Sequence, residues 1–207
     1  MKNLLKSVVA VAALAAPSLA LASSWEIDSG HSTANFTVKH MMVSNVRGEF
    51  GKITGTLNLD DKDVTKSSIT ATIDATSIDS RNPQRDGHLK SPDFFDVEKH
   101  PNLTFKSKKV EKAGEGKLKV TGDLTMRGVT KEVVLDVDAS FKESKQPFNG
   151  STVTGLSATT KLNRKDFGLN WNKALETGGV LVSDEVNVAL EIELVKKDAP
   201  ATAKDTK

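Results

Sequence analysis

The nine residues Val186-Asn187-Val188-Ala189-Leu190-Glu191-Ile192-Glu193-Leu194 alternate large apolar and mostly polar side chains without a break. Successive side chains on a strand point to opposite faces, so this stretch has one apolar face and one wet face, and no helix carries such a period. The same period recurs upstream. Val133, Leu135, Val137, Ala139 and Phe141 alternate with Val134, Asp136, Asp138 and Ser140. Ile69, Ala71, Ile73 and Ala75 alternate with Thr70, Thr72, Asp74 and Thr76.

Shorter runs extend the pattern: Ile53 to Leu59 with Gly55 on the apolar side, and Leu118 to Met126 with Gly122 on that side. Leu103-Thr104-Phe105, Phe36-Thr37-Val38 and Val153 to Leu162 bring the count to about eight strands. Glycine at an inward position suits a strand that coils strongly as its sheet bends round on itself. Turn residues separate the runs at Arg127-Gly128, Gly114 to Gly116 and Asp60 to Asp63. Pro83 to Phe95 and Lys165 to Gly179 do not alternate and read as loops or single helical turns.

An even number of consecutive, mostly hairpin-linked strands predicts an all-β fold: an eight-stranded antiparallel up-and-down barrel, with short helical turns in its loops. An outer-membrane barrel needs an apolar outer band with aromatic girdles. Here the second face carries Asp74, Asp136, Asp138, Glu191 and Glu193, and the chain has no tyrosine. The apolar side is therefore the inside. An eight-stranded barrel is just wide enough to be filled by side chains or to hold one small ligand.

The ends of the chain differ from this middle. Lys2 and Lys6 precede the apolar run Val8 to Ala16, Pro17 breaks it, and Ala20-Leu21-Ala22 places small residues where a signal peptidase reads. Residues 1–22 are read as a signal peptide cleaved before Ser23, which predicts a periplasmic or secreted protein. The apolar run is too short to span a bilayer and no second one follows, so integral membrane insertion is not expected. Residues 23–196 form the single barrel domain, and 197–207 read as a disordered polar tail. Cleavage reduces Lys+Arg from 29 to 27, against 27 Asp+Glu. A neutral mature chain gives no basic face for nucleic acid. With no cysteine there is no disulfide, thiolate metal site or lipoprotein anchor.

Motifs in order then carry a resemblance. They are Trp25-Glu26-Ile27-Asp28 with His31-Ser32, Phe36 to Met42, Val46 to Phe50, and Ser77-Ile78-Asp79. Next come Arg85 to Leu89, Ser91 to Asp96, Pro101 to Phe105 and Gly122 to Lys131. Asn163-Arg164, Asp166-Phe167-Gly168 and Ser183 to Val186 complete the series. Along the whole mature chain the sequence resembles the polyisoprenoid-binding YceI-like family. The resemblance implies a lipocalin-like barrel, bacterial export and a long interior pocket for an isoprenoid or similar long-chain amphiphile. It implies no catalytic activity and no cofactor beyond that lipid, and it leaves open a monomer or a homodimer.

The residues expected to hold the apolar tail are Phe36, Met41, Met42, Ile73, Ala75, Leu89, Phe94, Phe95, Phe167, Leu169 and Trp171, bulky or inward groups near a barrel mouth. Arg85 and His88 are the candidates for a polar or phosphorylated head group, with ion pairing that holds a loop as the competing role for Arg85. Asp166 is read as capping the turn before Phe167. His31, His40, His88 and His100 show no metal-binding spacing, and no nucleophile motif or phosphate loop occurs. The alternative to a binding protein is thus a metal-dependent enzyme whose histidines converge only in the fold.

Overall fold

The computed structural model describes residues 22–176 and 178–197. The proposed signal peptide, apart from Ala22, and the tail beyond Lys197 lie outside the described residues. Twelve strands form one sheet: β1 (Ala22–Ile27), β2 (Thr33–His40), β3 (Ser44–Phe50), β4 (Ile53–Asp60), β5 (Ser68–Asp74), β6 (Ile78–Asp79), β7 (Asn102–Gly114), β8 (Lys117–Met126), β9 (Val129–Asp138), β10 (Ser144–Lys145), β11 (Thr152–Asn163) and β12 (Val182–Lys196). Among the described residues one α-helix, α1, spans Pro83–Lys90.

The twelve strands make eight staves. On one flank β12 pairs with β11 from Glu185 to Val195; on the other it pairs first with β2, then with β1. β1 and β2 are therefore one long strand, broken where residues 28–32 pass Ile192 and Glu193 of β12. β3 and β4 are likewise the halves of a second strand, paired with β2 and β1 respectively. β5 and β6 make a third, interrupted by the 3-10 turn Ala75–Ser77. Every stave lies antiparallel beside its neighbour in sequence, and β12 returns to β1 and β2. The molecule is a closed eight-stranded antiparallel up-and-down barrel, as its alternating sequence predicts.

Local chemistry explains the breaks. Asp28 accepts from Gly30 N (2.9 Å) in an Asx turn that ends β1. The Ser32 hydroxyl accepts from Glu193 N (3.0 Å), completing the ladder where the backbone has left it. Extra residues on one strand bend it and increase its twist, which is how a sheet turns the corner of a barrel. The β8–β9 hairpin turns through Arg127 and Gly128, both at positive φ (49° and 73°), the conformation a two-residue turn needs to follow the strand twist.

Two inward glycines make room for rings. A Cβ on Gly48 would stand 2.4 Å from the Phe36 ring, and one on Gly122 would stand 2.5 Å from the Phe105 ring and 2.6 Å from Lys106 O. Each phenylalanine ring thus occupies the space that a side chain at its glycine would fill. Gly122→Ala is expected to lower the unfolding free energy by about 1–3 kcal/mol, the usual range for overpacking, because the Lys106 carbonyl is backbone and cannot swing aside. Urea denaturation measures it, and a change below about 0.5 kcal/mol would contradict this packing.

One end of the barrel is crossed by α1, by residues 91–100 and by the segment from Arg164 to Leu181. Asn82 accepts from Arg85 N (3.0 Å) and Pro83 occupies the first turn, so Asn-Pro starts a two-turn helix where the sequence suggested no more than single turns. Arg127 ties this cover down, donating to Pro92 O (2.6 Å) and to Gly168 O. Near the other end Trp25, Leu59 and Leu194 are buried together. Lys197, assigned to the tail from sequence, donates its N–H to Ser24 O (2.8 Å), and its ammonium pairs with Glu26.

Candidate functional site

Between these ends the barrel encloses a cavity of about 240 Å³. Its wall takes residues from β2, β3, β4, β5, β7, β8, β9, β11 and β12, so it runs through the interior and does not lie in one corner. The inward members of the alternating runs line it: Ile69 and Ile73, Val133 and Leu135, Val186, Val188 and Leu190. They are only partly buried although they face inward, which means that side chains do not fill the centre. A packed core would cover them fully.

Polar groups reach this surface at five residues, and four of them are already bonded to protein. Asn35 donates to Thr33 Oγ1 (3.0 Å), Thr160 donates to Val134 O (2.8 Å), and Ser67 Oγ accepts from Asp60 N (3.0 Å). Ser68 stands at the exposed start of β5. The fifth, Arg164, is 4 % exposed. Its Nε donates to Ser183 O (2.9 Å), one terminal nitrogen to Leu169 O (2.5 Å) and Trp171 O (2.8 Å), and the other to Val182 O (3.4 Å) and Asp184 Oδ1 (3.3 Å). Five N–H groups meet five acceptors. Burial pushes the guanidinium pKa down and Asp184 opposes that shift. The interior thus offers a ligand hydrocarbon and almost no free hydrogen bond.

Seven of the eleven residues expected to hold the tail line the cavity: Phe36, Ile73, Leu89, Phe94, Phe95, Phe167 and Leu169. Four do not. Met41 and Met42 are exposed on the β2–β3 turn, beyond the rim, because both take left-handed backbone (φ 50° and 60°) that carries the chain out of the wall. Ala75 continues the β5 alternation on paper, but the Asp74 carboxylate accepts from Thr76 N (2.8 Å) and ends the strand there. Ala75 is 0 % exposed and its N–H donates to Pro101 O (2.8 Å), so it sits in packed wall. Trp171 packs against Phe94 (5.3 Å) and His88 (4.8 Å), partly buried in the cover and not in the cavity wall.

The head-group candidates also fall outside the cavity. Arg85 donates to Ser80 Oγ (2.7 Å) and Ser80 O (2.6 Å), while Asp86 accepts from Ser80 N (2.9 Å). Together they lock the entry to α1. His88 is held by Asp93 (2.8 Å) and stands edge-on between Phe94 and Trp171. The turn before Phe167 is capped by Asn163, which accepts from Lys165 N (3.0 Å), and not by Asp166. Sequence reading underweighted the middle of the barrel: Leu135, Leu156, Val188 and Leu190 line the cavity by the same alternation that revealed the strands.

Among the described residues, the one group of three potential metal ligands is Asp28, His31 and Glu193, so the four histidines do not converge. His31 Nδ1 lies 2.9 Å from Asp28 and 3.7 Å from Glu193. The hydrogen bond to Asp28, then the charge of Glu193, holds the imidazole above its ordinary value of 6.5. The His31 hydrogen bond in turn holds Asp28 below 3.8. A raised histidine contributes stability below 6.5 and loses it as pH rises through the folded value; a lowered aspartate loses its contribution as pH falls below 3.8. The melting-temperature difference between wild type and His31→Gln should therefore be larger at about pH 5 than at about pH 9. Equal differences at both would refute the pairing.

A closed up-and-down barrel around an apolar interior that its side chains leave unfilled has the architecture that accommodates an apolar molecule. The YceI-like domain matches residues 25–194, and the chain belongs to the YceI-like family. The UPF0312 protein SAS2572 of Staphylococcus aureus (strain MSSA476) is 40 % identical over 171 residues, covering 83 % of this chain and 96 % of that one. The crystal structure of a Campylobacter jejuni YCEI protein matches at 33 % identity with TM-score 0.65, covering 77 % of this chain and 90 % of that one. A polyisoprenoid-binding domain from Saccharophagus degradans, implicated in plant cell wall breakdown, shares the fold at TM-score 0.59 and 15 % identity, covering 84 % of this chain and 98 % of that one.

Proposed function

We propose that the chain binds one long-chain lipid of the isoprenoid type inside its barrel and, after export, carries it through an aqueous compartment as a non-enzymatic carrier. The observation that bears most weight is the inward apolar face present on every stave yet left open at the centre. Removing hydrocarbon from water is worth about 0.8 kcal/mol per CH₂, so each five-carbon unit contributes about 4 kcal/mol at most. The family and the shared fold of a polyisoprenoid-binding domain support the same ligand class.

The few polar groups at the cavity wall refine this reading. A phosphate, hydroxyl or quinone carbonyl drawn inside would lose water and find few donors beyond the Ser67, Ser68 and Asn35 side chains, at a cost of about 1–3 kcal/mol or more. The head group therefore stays at the rim, in water, and the chain decides affinity. Prenyl alcohol, prenyl phosphate and prenyl quinone with the same tail should bind within about tenfold of one another, a spread of 1.4 kcal/mol. Shortening the tail by one unit should weaken all three. Affinity that follows the head group and ignores tail length would contradict the proposal.

A further inference from the structure

The β2–β3 turn exposes three apolar residues in a row: Met41 at 46 %, Met42 at 57 % and Val43 at 81 %. It is not a frayed loop. Met41 N donates to Leu181 O (2.7 Å), Val43 N donates to His40 O (3.0 Å), and a Cβ on Gly179 would stand 3.4 Å from Met42 Cγ. Met41 and Met42 are the two central residues of the turn that the Val43 N to His40 O bond closes, and their left-handed backbone, the geometry a hairpin turn needs, leaves the side chains in water. The cavity reaches the rim beside this turn, since Val38 and Val182 both line it and Val182 pairs with β2 at His40.

We propose that this turn is a membrane-docking finger, inserting Met41, Met42 and Val43 into the surface of an anionic bilayer. Cations flank the tip. Lys39 and Arg47 are exposed on the outer face of β2 and β3, diagonal to one another in the register, and Lys173 lies exposed on the neighbouring segment. None of the three has an ion-pair partner among the described residues, a state they share with Lys62, Lys106 and Lys131 elsewhere on the surface. An apolar tip flanked by Lys39, Arg47 and Lys173, against the exposed Glu176 and a Glu185 already paired with Lys161, is complementary to hydrocarbon beneath negative head groups. Three side chains fall far short of the roughly 800 Å² per partner of a stable protein interface, which argues against a second copy as the occupant. The identity of the partner rests on the lipid-carrier reading: a barrel that loads a membrane lipid must meet a membrane near its cavity.

Vesicle sedimentation tests it, using phosphatidylcholine vesicles with and without phosphatidylglycerol. Wild-type protein should sediment with the anionic vesicles and much less with neutral ones. Met42→Asn combined with Val43→Ser should lower the bound fraction at least about fivefold, as should Lys39→Glu with Arg47→Glu. Asparagine tolerates the left-handed backbone, so the melting temperature should stay within about 2 °C. No sedimentation of wild type, or equal sedimentation of the apolar double variant, overturns the finger. So does a wild-type dimer in sedimentation velocity that this variant converts to monomer, since the patch would then belong to a second copy. Titration of a prenyl alcohol in detergent runs alongside without vesicles. Prenyl binding without sedimentation defeats the docking proposal and spares the carrier; sedimentation without prenyl binding does the reverse.

Discussion

Replacing Arg164 by methionine is expected to lower the unfolding free energy by about 3–5 kcal/mol, the largest stability effect of any substitution considered for this protein. Methionine keeps the unbranched stem that borders the cavity and removes all five donors. Four carbonyls, those of Leu169, Trp171, Val182 and Ser183, are then left without this partner. Val182 O keeps the Asn172 side-chain amide (2.7 Å), and each of the other three acceptors costs about 1–3 kcal/mol unless water enters to serve it. Asp184 is part-exposed and keeps Lys165 at 2.9 Å, so the loss falls on the carbonyls more than on the ion pair. The damage should be local: hydrogen exchange ought to speed up in the 164–182 segment before it does in β7 or β8. Arg164→Lys should recover little, because one ammonium cannot reach acceptors arranged around a planar fork. A loss below about 1 kcal/mol for Arg164→Met would mean that the clamp is not needed to hold the barrel cover.

The second large effect separates cavity from wall with a single change made at two places. Ala71 and Ala75 share the apolar face of one alternating run, but Ala71 lines the cavity and Ala75 does not. Ala71→Phe should project a ring into open space. Prenyl-lipid affinity should fall at least tenfold, equivalent to about 1.4 kcal/mol, with stability changed by less than about 1 kcal/mol. Ala75→Phe has no space to enter and should cost about 1–3 kcal/mol or more by overpacking. Tail titration and urea denaturation on both variants distinguish them. Reversed outcomes, with Ala75→Phe blocking lipid in a stable protein, would put the pocket under the cover and not in the barrel centre.

This contrast shows how far the sequence could be read. Alternation is a property of neighbours along one strand, so the barrel, its inward face and the Arg127-Gly128 hairpin were all legible. What was not legible depends on partners and backbone turns, near or remote in sequence, that alternation does not report. Ser32 replaces a ladder bond to Glu193, 161 residues away, and that break divides the first stave. Ala75 leaves the strand because Asp74 caps a turn and Pro101 accepts its N–H. Met41 and Met42 look like pocket residues by type, and only their backbone conformation shows that they face water. Arg164 lay in a motif beside Asn163, but its role needs the carbonyls of four residues between Leu169 and Ser183 to be brought round it. Arg85 followed the more ordinary rule that a loop arginine bonds nearby backbone, here at Ser80.

The central claim is that the open interior holds a long hydrocarbon chain, and the most direct measurement is the content of the purified protein. Protein purified from bacterial cells without detergent, extracted with organic solvent and analysed by mass spectrometry, should release close to one equivalent of an amphiphile with a long branched tail, reduced at least tenfold in Ala71→Phe. Protein that extracts clean from several hosts, and then takes up neither prenyl quinone nor prenyl alcohol when they are supplied, would contradict the account.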